Sequence, residues 1–107
     1  MLNLEVHTDQ DALYCMLGDL YTPKLLNTCE HFIDTHLQEG YKNIVIDISE
    51  VLYVDSLFLG KLLKWKKLCG SYGLGKESYT VIAAGQPLQM IELSSIATII
   101  HVIKKES

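Results

Sequence analysis

The run Asn43-Ile-Val-Ile-Asp-Ile48 constrains this chain more than any other segment, because it lies between two stretches of helical periodicity. A short, mostly β-branched run of this kind predicts a strand covered on both faces. Upstream, Thr22-Pro23 opens a helix: threonine accepts a free N–H, and proline at the first position has none to lose. Leu25, Leu26, Cys29, Phe32, Ile33 and Leu37 share one face of that helix, and Gly40 stands where a terminating glycine belongs. Downstream, Leu52 to Val54 extends the chain to Asp55-Ser56, from which a second helix runs to about Cys69.

The remaining pattern fits the same plan. Leu2 to Thr8 alternates apolar and polar residues, Asp9-Gln10-Asp11 is a polar turn, and Ala12 to Leu17 reads as a second strand ended by Gly18-Asp19. Gly70, Gly73 and Gly75 make a flexible connection to a buried strand at Tyr79 to Ala84. Gln86-Pro87 begins a third helix, to about Leu93 or Ser94, and Ala97 to Ile103 is the last strand. The predicted order is β-β-α-β-α-β-α-β. It is an α/β fold with a mixed, mostly parallel sheet covered by helices, and the opening hairpin supplies an antiparallel edge. No linker or internal repeat interrupts it, so residues 1–107 are expected to form a single domain.

Charge and cysteine content exclude several classes. Nine lysines, no arginine and thirteen acidic residues leave a net charge of −4, which argues against a nucleic-acid partner. Cys15, Cys29 and Cys69 form no CxxC pair, so buried thiols in a reducing compartment are expected. The N-terminus lacks a basic and a long apolar segment, and Leu88 to Ile103 is broken by Glu92, two serines and His101. These features predict a cytoplasmic location with no membrane insertion.

Little of the sequence looks catalytic. Gly70-Ser-Tyr-Gly-Leu-Gly75-Lys76 matches a phosphate-binding loop by spacing, but helix precedes strand and Glu77 stands where Ser or Thr is needed. His31 and His36 are five residues apart and share no helical face well, and His7 and His101 are isolated, so neither metal nor cofactor is expected. Asp47 and Asp55 fall near the end of a strand, where α/β folds place their sites. A small enzyme or nucleotide-binding protein using that pair is the alternative from another class. Asp9 and Asp11 serve equally well as surface turn residues, and nothing requires an enzyme.

The second helix is more informative. Phe58, Leu59, Leu62, Leu63, Trp65 and Cys69 share an inward arc at about 100° per residue. Leu57, Lys61, Lys64 and Leu68 are expected on an outward face, either as a solvated surface or as a docking stripe for an acidic partner. At its start, either Asp55 or Ser56 can cap the helix. The same Ser56 is also a candidate phosphorylation site, where a phosphate adds a charge of about −1.5 to −2.

The stretch Ile44-Val-Ile-Asp47-Ile-Ser-Glu-Val51-Leu-Tyr-Val-Asp55-Ser56-Leu57-Phe58-Leu59-Gly60 resembles the STAS-domain signature of anti-sigma factor antagonists, in which a hydrophobic strand runs into D-S-S-G-L-G. Gly18-Asp19-Leu20 is similar to that family's G-E-L-D, and Leu93-Ser94-Ser95-Ile96 to its S-G-L. The resemblance implies a switch without catalysis of its own. It would bind an anti-sigma factor that is also a serine kinase, be released by phosphorylation of Ser56, and be reset by a metal-dependent serine phosphatase. Asp19, Tyr21, Thr22, Asp55, Leu57, Phe58, Lys61, Lys64 and Leu68 are then the expected partner contacts. Leu57 and Phe58 stand where the family has Ser and Gly, and Tyr21 where it has Asp. These bulky residues support an alternative, a constitutive STAS scaffold subunit of a stressosome-like or lipid-transport complex. A homodimer is left open.

Overall fold

The computed structural model describes residues 2–7, 12–19 and 22–105, with side chains for 12–18 and 22–105. Eight elements follow one another: β1 (Leu2–His7), β2 (Ala12–Asp19), α1 (Pro23–Gln38), β3 (Asn43–Val51), α2 (Ser56–Ser71), β4 (Tyr79–Ala83), α3 (Gly85–Leu93) and β5 (His101–Lys104). The strands form one sheet in the order β1-β2-β3-β4-β5. β1 pairs antiparallel with β2, from Leu2↔Leu17 to His7↔Ala12, whereas β2, β3, β4 and β5 are parallel. The predicted order and the antiparallel edge are both present. The turn expected at Asp9-Gln10-Asp11 lies outside the described residues, as does Tyr21.

Strands laid side by side in chain order, joined by right-handed crossovers, bring every helix back over the same face. The core has that form. Leu13, Cys15 and Leu17 of β2, Ile44, Ile46 and Ile48 of β3 and Tyr79, Val81 and Ala83 of β4 meet the inward side chains of α1, α2 and α3 in one buried cluster. β3 was expected to be covered on both faces. Instead it alternates, with Ile44, Ile46 and Ile48 buried and Val45 and Asp47 half-buried on the helix-free side. Val45 is shielded there by its register neighbours, Tyr14 on β2 and Thr80 on β4.

The other departures have local causes. β3 continues to Val51 and β2 to Asp19, past a register shift at which Met16 pairs with Asp47 but Gly18 pairs with Glu50. At that shift one Asp47 carboxylate oxygen accepts both the Ser49 N–H (2.9 Å) and the Ser49 hydroxyl (2.6 Å). This side-chain turn supplies a partner where the ladder is irregular. The buried arc of α1 is Leu26, Cys29, Ile33 and Leu37. Phe32 sits at its margin, about one-third exposed, with its ring 6.3 Å from those of His31 and His36.

The expected strand at Ala97 to Ile103 is shortened to His101–Lys104, because Ile96–Thr98 forms a 3₁₀ turn. That turn places Ile96 and Ile100 in the core and follows Ser95, whose φ is +65°. Ser95 stands where the resembling S-G-L motif has glycine, the residue that adopts this conformation without a Cβ clash. Ser95→Gly is expected to stabilise the protein by roughly 0.5–1 kcal/mol, read as a higher urea midpoint at unchanged m-value. An unchanged or lower midpoint would show that the serine is unstrained.

Candidate docking site at the start of α2

The β3–α2 corner is built by alternation of anchored and exposed residues. Val54 and Phe58 are fully buried, so the chain between them is pinned at both ends. The Gln86 amide, at the start of α3, grips Val54 from both sides. Its Oε1 accepts the Val54 N–H at 2.9 Å, and its Nε2 donates to the Val54 carbonyl at 3.1 Å. Asp55 has extended backbone (φ −128°), and its carboxylate accepts the Phe58 N–H at 3.2 Å. The cap is therefore Asp55, and Ser56 is the first residue of the helix, exposed. Around it Leu52 is 68%, Tyr53 57% and Leu57 49% exposed. An exposed serine thus follows exposed Leu52 and Tyr53 in the chain and precedes exposed Leu57, on a frame fixed by Val54 and Phe58.

The expected contact residues divide. The register Asp19↔Val51 sets the end of β2 beside the end of β3, just before the corner. Thr22 caps α1, accepting the Leu25 N–H at 3.2 Å, and is exposed. Phe58 is corrected: its fully buried ring belongs to the core and is closed to a partner. The outward stripe is corrected in part: Lys61 and Leu68 are drawn in, whereas Lys64 stays largely exposed. Lys61 turns toward α1, donating to Asn27 Oδ1 at 3.2 Å and Glu30 Oε1 at 3.4 Å. Lys64 reaches Glu30 Oε2 at 3.2 Å, and Leu68 is half-buried against the core. Of that stripe, Leu57 keeps an exposed apolar surface.

Glu30 and Gln86 carry no sequence signal of their own. The buried Trp65 needs an acceptor for its indole N–H, and Glu30 Oε1 provides it at 3.1 Å. Burial by itself pushes the Glu30 carboxyl up. Hydrogen bonds from Lys64 and Trp65, with the charges of Lys61 and Lys64, outweigh this and hold it below its ordinary value.

Asp47 and Asp55, the pair considered for catalysis, are both engaged structurally, one at the β3 irregularity and one as a cap. The glycine-lysine segment runs from α2 through Gly73 (φ +80°) into a 3₁₀ turn before β4, where Lys76 donates to the Thr98 carbonyl at 3.5 Å. This is helix to strand, the reverse of a phosphate-binding loop. Among the described residues no cluster of three or more His, Cys, Asp or Glu is placed to hold a metal, and no helix is long and apolar enough to cross a membrane.

No protein-family model matches the sequence, and no curated protein sequence matches it. Solved structures do. An anti-sigma factor antagonist from Mycobacterium paratuberculosis superposes with a TM-score of 0.74 at 20% identity, covering 95% of this chain and 83% of that one. The anti-sigma factor antagonist SpoIIAA in its unphosphorylated form gives 0.75 at 12% identity, covering 100% and 90%. The fold is that of the anti-sigma factor antagonists, the STAS fold. SiaC from Pseudomonas aeruginosa, the activator of the diguanylate cyclase SiaD, gives 0.61 at 13% identity over 98% and 90%. In this STAS fold the Asp55–Ser56 corner joins β3 to α2.

Two expectations test the site. Asp55→Ala should cost about 1 kcal/mol through the lost cap, while Ser56→Ala should stay within about 0.5 kcal/mol; equal losses in urea unfolding would return the cap to the serine. Because the Glu30 carboxyl is depressed in the folded state, its contribution is present above the ordinary value of 4.5 and is lost as pH falls through the lower folded value. Glu30→Gln should therefore flatten the acid limb of the stability–pH curve below about pH 4.5. An unaltered limb would show that Glu30 titrates alike in both states.

Proposed function

We propose that residues 1–107 form one STAS domain that acts in the cytoplasm as an anti-sigma factor antagonist, a non-catalytic protein that works by binding. The exposed Ser56 carries this reading, standing at the first position of α2, after exposed Leu52 and Tyr53 in the chain and before exposed Leu57, on a frame held by Asp55 and Gln86. Unmodified, that apolar corner is a surface for an anti-sigma factor that is also a serine kinase. The kinase moves the γ-phosphoryl group of ATP to the Ser56 oxygen: an O–P bond forms, the bond to ADP breaks, and the hydroxyl proton leaves. The product carries about two negative charges at a helix N-terminus, which tolerates them, so the fold persists while the apolar contact is broken. A serine phosphatase restores the hydroxyl.

A second reading is favoured by the same exposed apolar side chains. Leu52, Tyr53 and Leu57 suit a constitutive contact in a scaffold subunit, with Ser56 unmodified. The activator role of SiaC toward SiaD shows a protein of this fold serving an enzyme by binding.

Intact-mass spectrometry of the protein from its own cells, wild type beside Ser56→Ala, separates the two. A phosphoryl mass in the wild type alone supports the switch; an unmodified protein across growth and stress conditions leaves the scaffold. On the switch reading, Ser56→Asp should keep stability within about 1 kcal/mol and lose its partner, and an intact complex would end that reading. A nucleotide- or metal-dependent rise in Tm would instead favour the third class, an enzyme or nucleotide-binding protein.

A further inference from the structure

Beside α2, on the side away from α1, an open groove of about 490 Å³ runs toward the turn before β5. Its floor is Leu63 and the half-exposed Ile99, and Lys64, Lys66 and Lys67 rim it. Among the described residues no carboxylate lines it, although the chain as a whole carries a net charge of −4. Lys64 is shared with Glu30. Lys66 and Lys67 make no ion pair among the described residues.

Two glycines also line the groove, Gly60 and Gly70, and a methyl group at either would meet nothing within 4 Å. Neither has a positive φ, so neither packing nor backbone geometry within this chain calls for glycine. Inside a helix, each is less stable than alanine. What they provide is room for another backbone to approach. At about 100° per residue, Ser56, Gly60, Leu63, Lys67 and Gly70 fall on one face of α2, so the groove and the serine share a single surface.

We propose that this groove docks an acidic amphipathic helix of the partner protein. The apolar side of such a helix covers Leu63 and Ile99, its backbone passes close to Gly60 and Gly70, and its carboxylates pair with Lys66 and Lys67. Charge complementarity decides the occupant: a basic or neutral helix gains nothing from the rim, and an acidic one is repelled by the rest of the surface and so is steered to this face. The inference deepens the proposed docking function, and it also explains release, since a phosphate on Ser56 lies in line with an acidic helix and repels it.

The test is a titration of the ¹⁵N-labelled protein with a designed Leu/Glu amphipathic peptide and its Leu/Lys counterpart. The acidic peptide should shift the amides of Gly60, Leu63, Lys67, Gly70 and Ile99, and the basic one should not. Lys66→Glu/Lys67→Glu should weaken binding by about tenfold or more. Gly60→Ala/Gly70→Ala should fold, melt at a higher temperature and bind more weakly. No binding, shifts confined to the Leu52–Leu57 corner, or affinity indifferent to both variants would overturn the groove. Ser56→Asp separates the two ideas. If it binds the peptide as the wild type does while the groove variants fail, the groove stands and the phosphate switch falls; the opposite pattern removes the groove and keeps the switch.

Discussion

A parallel sheet whose strands lie in chain order has one face for all of its helices, and the rest of this structure depends on that constraint. β2 to β5 sit side by side in sequence, so α1, α2 and α3 return over the same side. The helices compete for that face, and α2 packs along α1. Each strand reaches the same end of the sheet, so the end of β2 meets the end of β3 through Asp19↔Val51. The corner that leads into Ser56 is therefore set by the sheet and does not hang from a long loop.

α2 consequently carries three duties on one cylinder. Phe58, Leu62, Trp65 and Cys69 fill the core. Lys61 and Lys64 close the seam to α1 through Glu30, which also satisfies the Trp65 indole. The Tyr79 hydroxyl reaches up from β4 and donates to the Leu62 carbonyl at 2.9 Å, tying the helix to the sheet. Complete burial holds that phenol well above its ordinary value, so it stays a donor. Cys15 and Cys69 are equally quiet. Burial pushes the Cys69 thiol up to about 11, and contact with Cys29 together with burial raises Cys15, so the nucleophilic thiolate is disfavoured at both. What remains for binding is the outer face of α2 and its N-terminal corner.

The elements were legible because their signals are local. Thr22-Pro23 and Gly40 bracket α1 by backbone chemistry that acts within four residues, and period-2 and period-3.6 patterns separate strands from helices. The resemblance at Asp55–Ser56 located the corner. The expectation faltered where a neighbour in space decides. Phe58 appeared among partner contacts although its arc is the core, and Lys61 was placed outward because the sequence does not say that α1 brings Glu30 to meet it. β5 was placed too early because Ile96–Thr98, after the left-handed Ser95, turns as a 3₁₀ helix before the strand begins.

The sequence by itself determined the order of elements, the helix caps and the inward arcs, since hydrophobic periodicity and capping act over a few residues. Tertiary structure alone decided that Gln86 clamps Val54 across 32 positions, and that Glu30 gathers two lysines and a tryptophan. Those contacts join residues distant along the chain, and which partner reaches a buried donor or carbonyl depends on how the helices pack on the sheet.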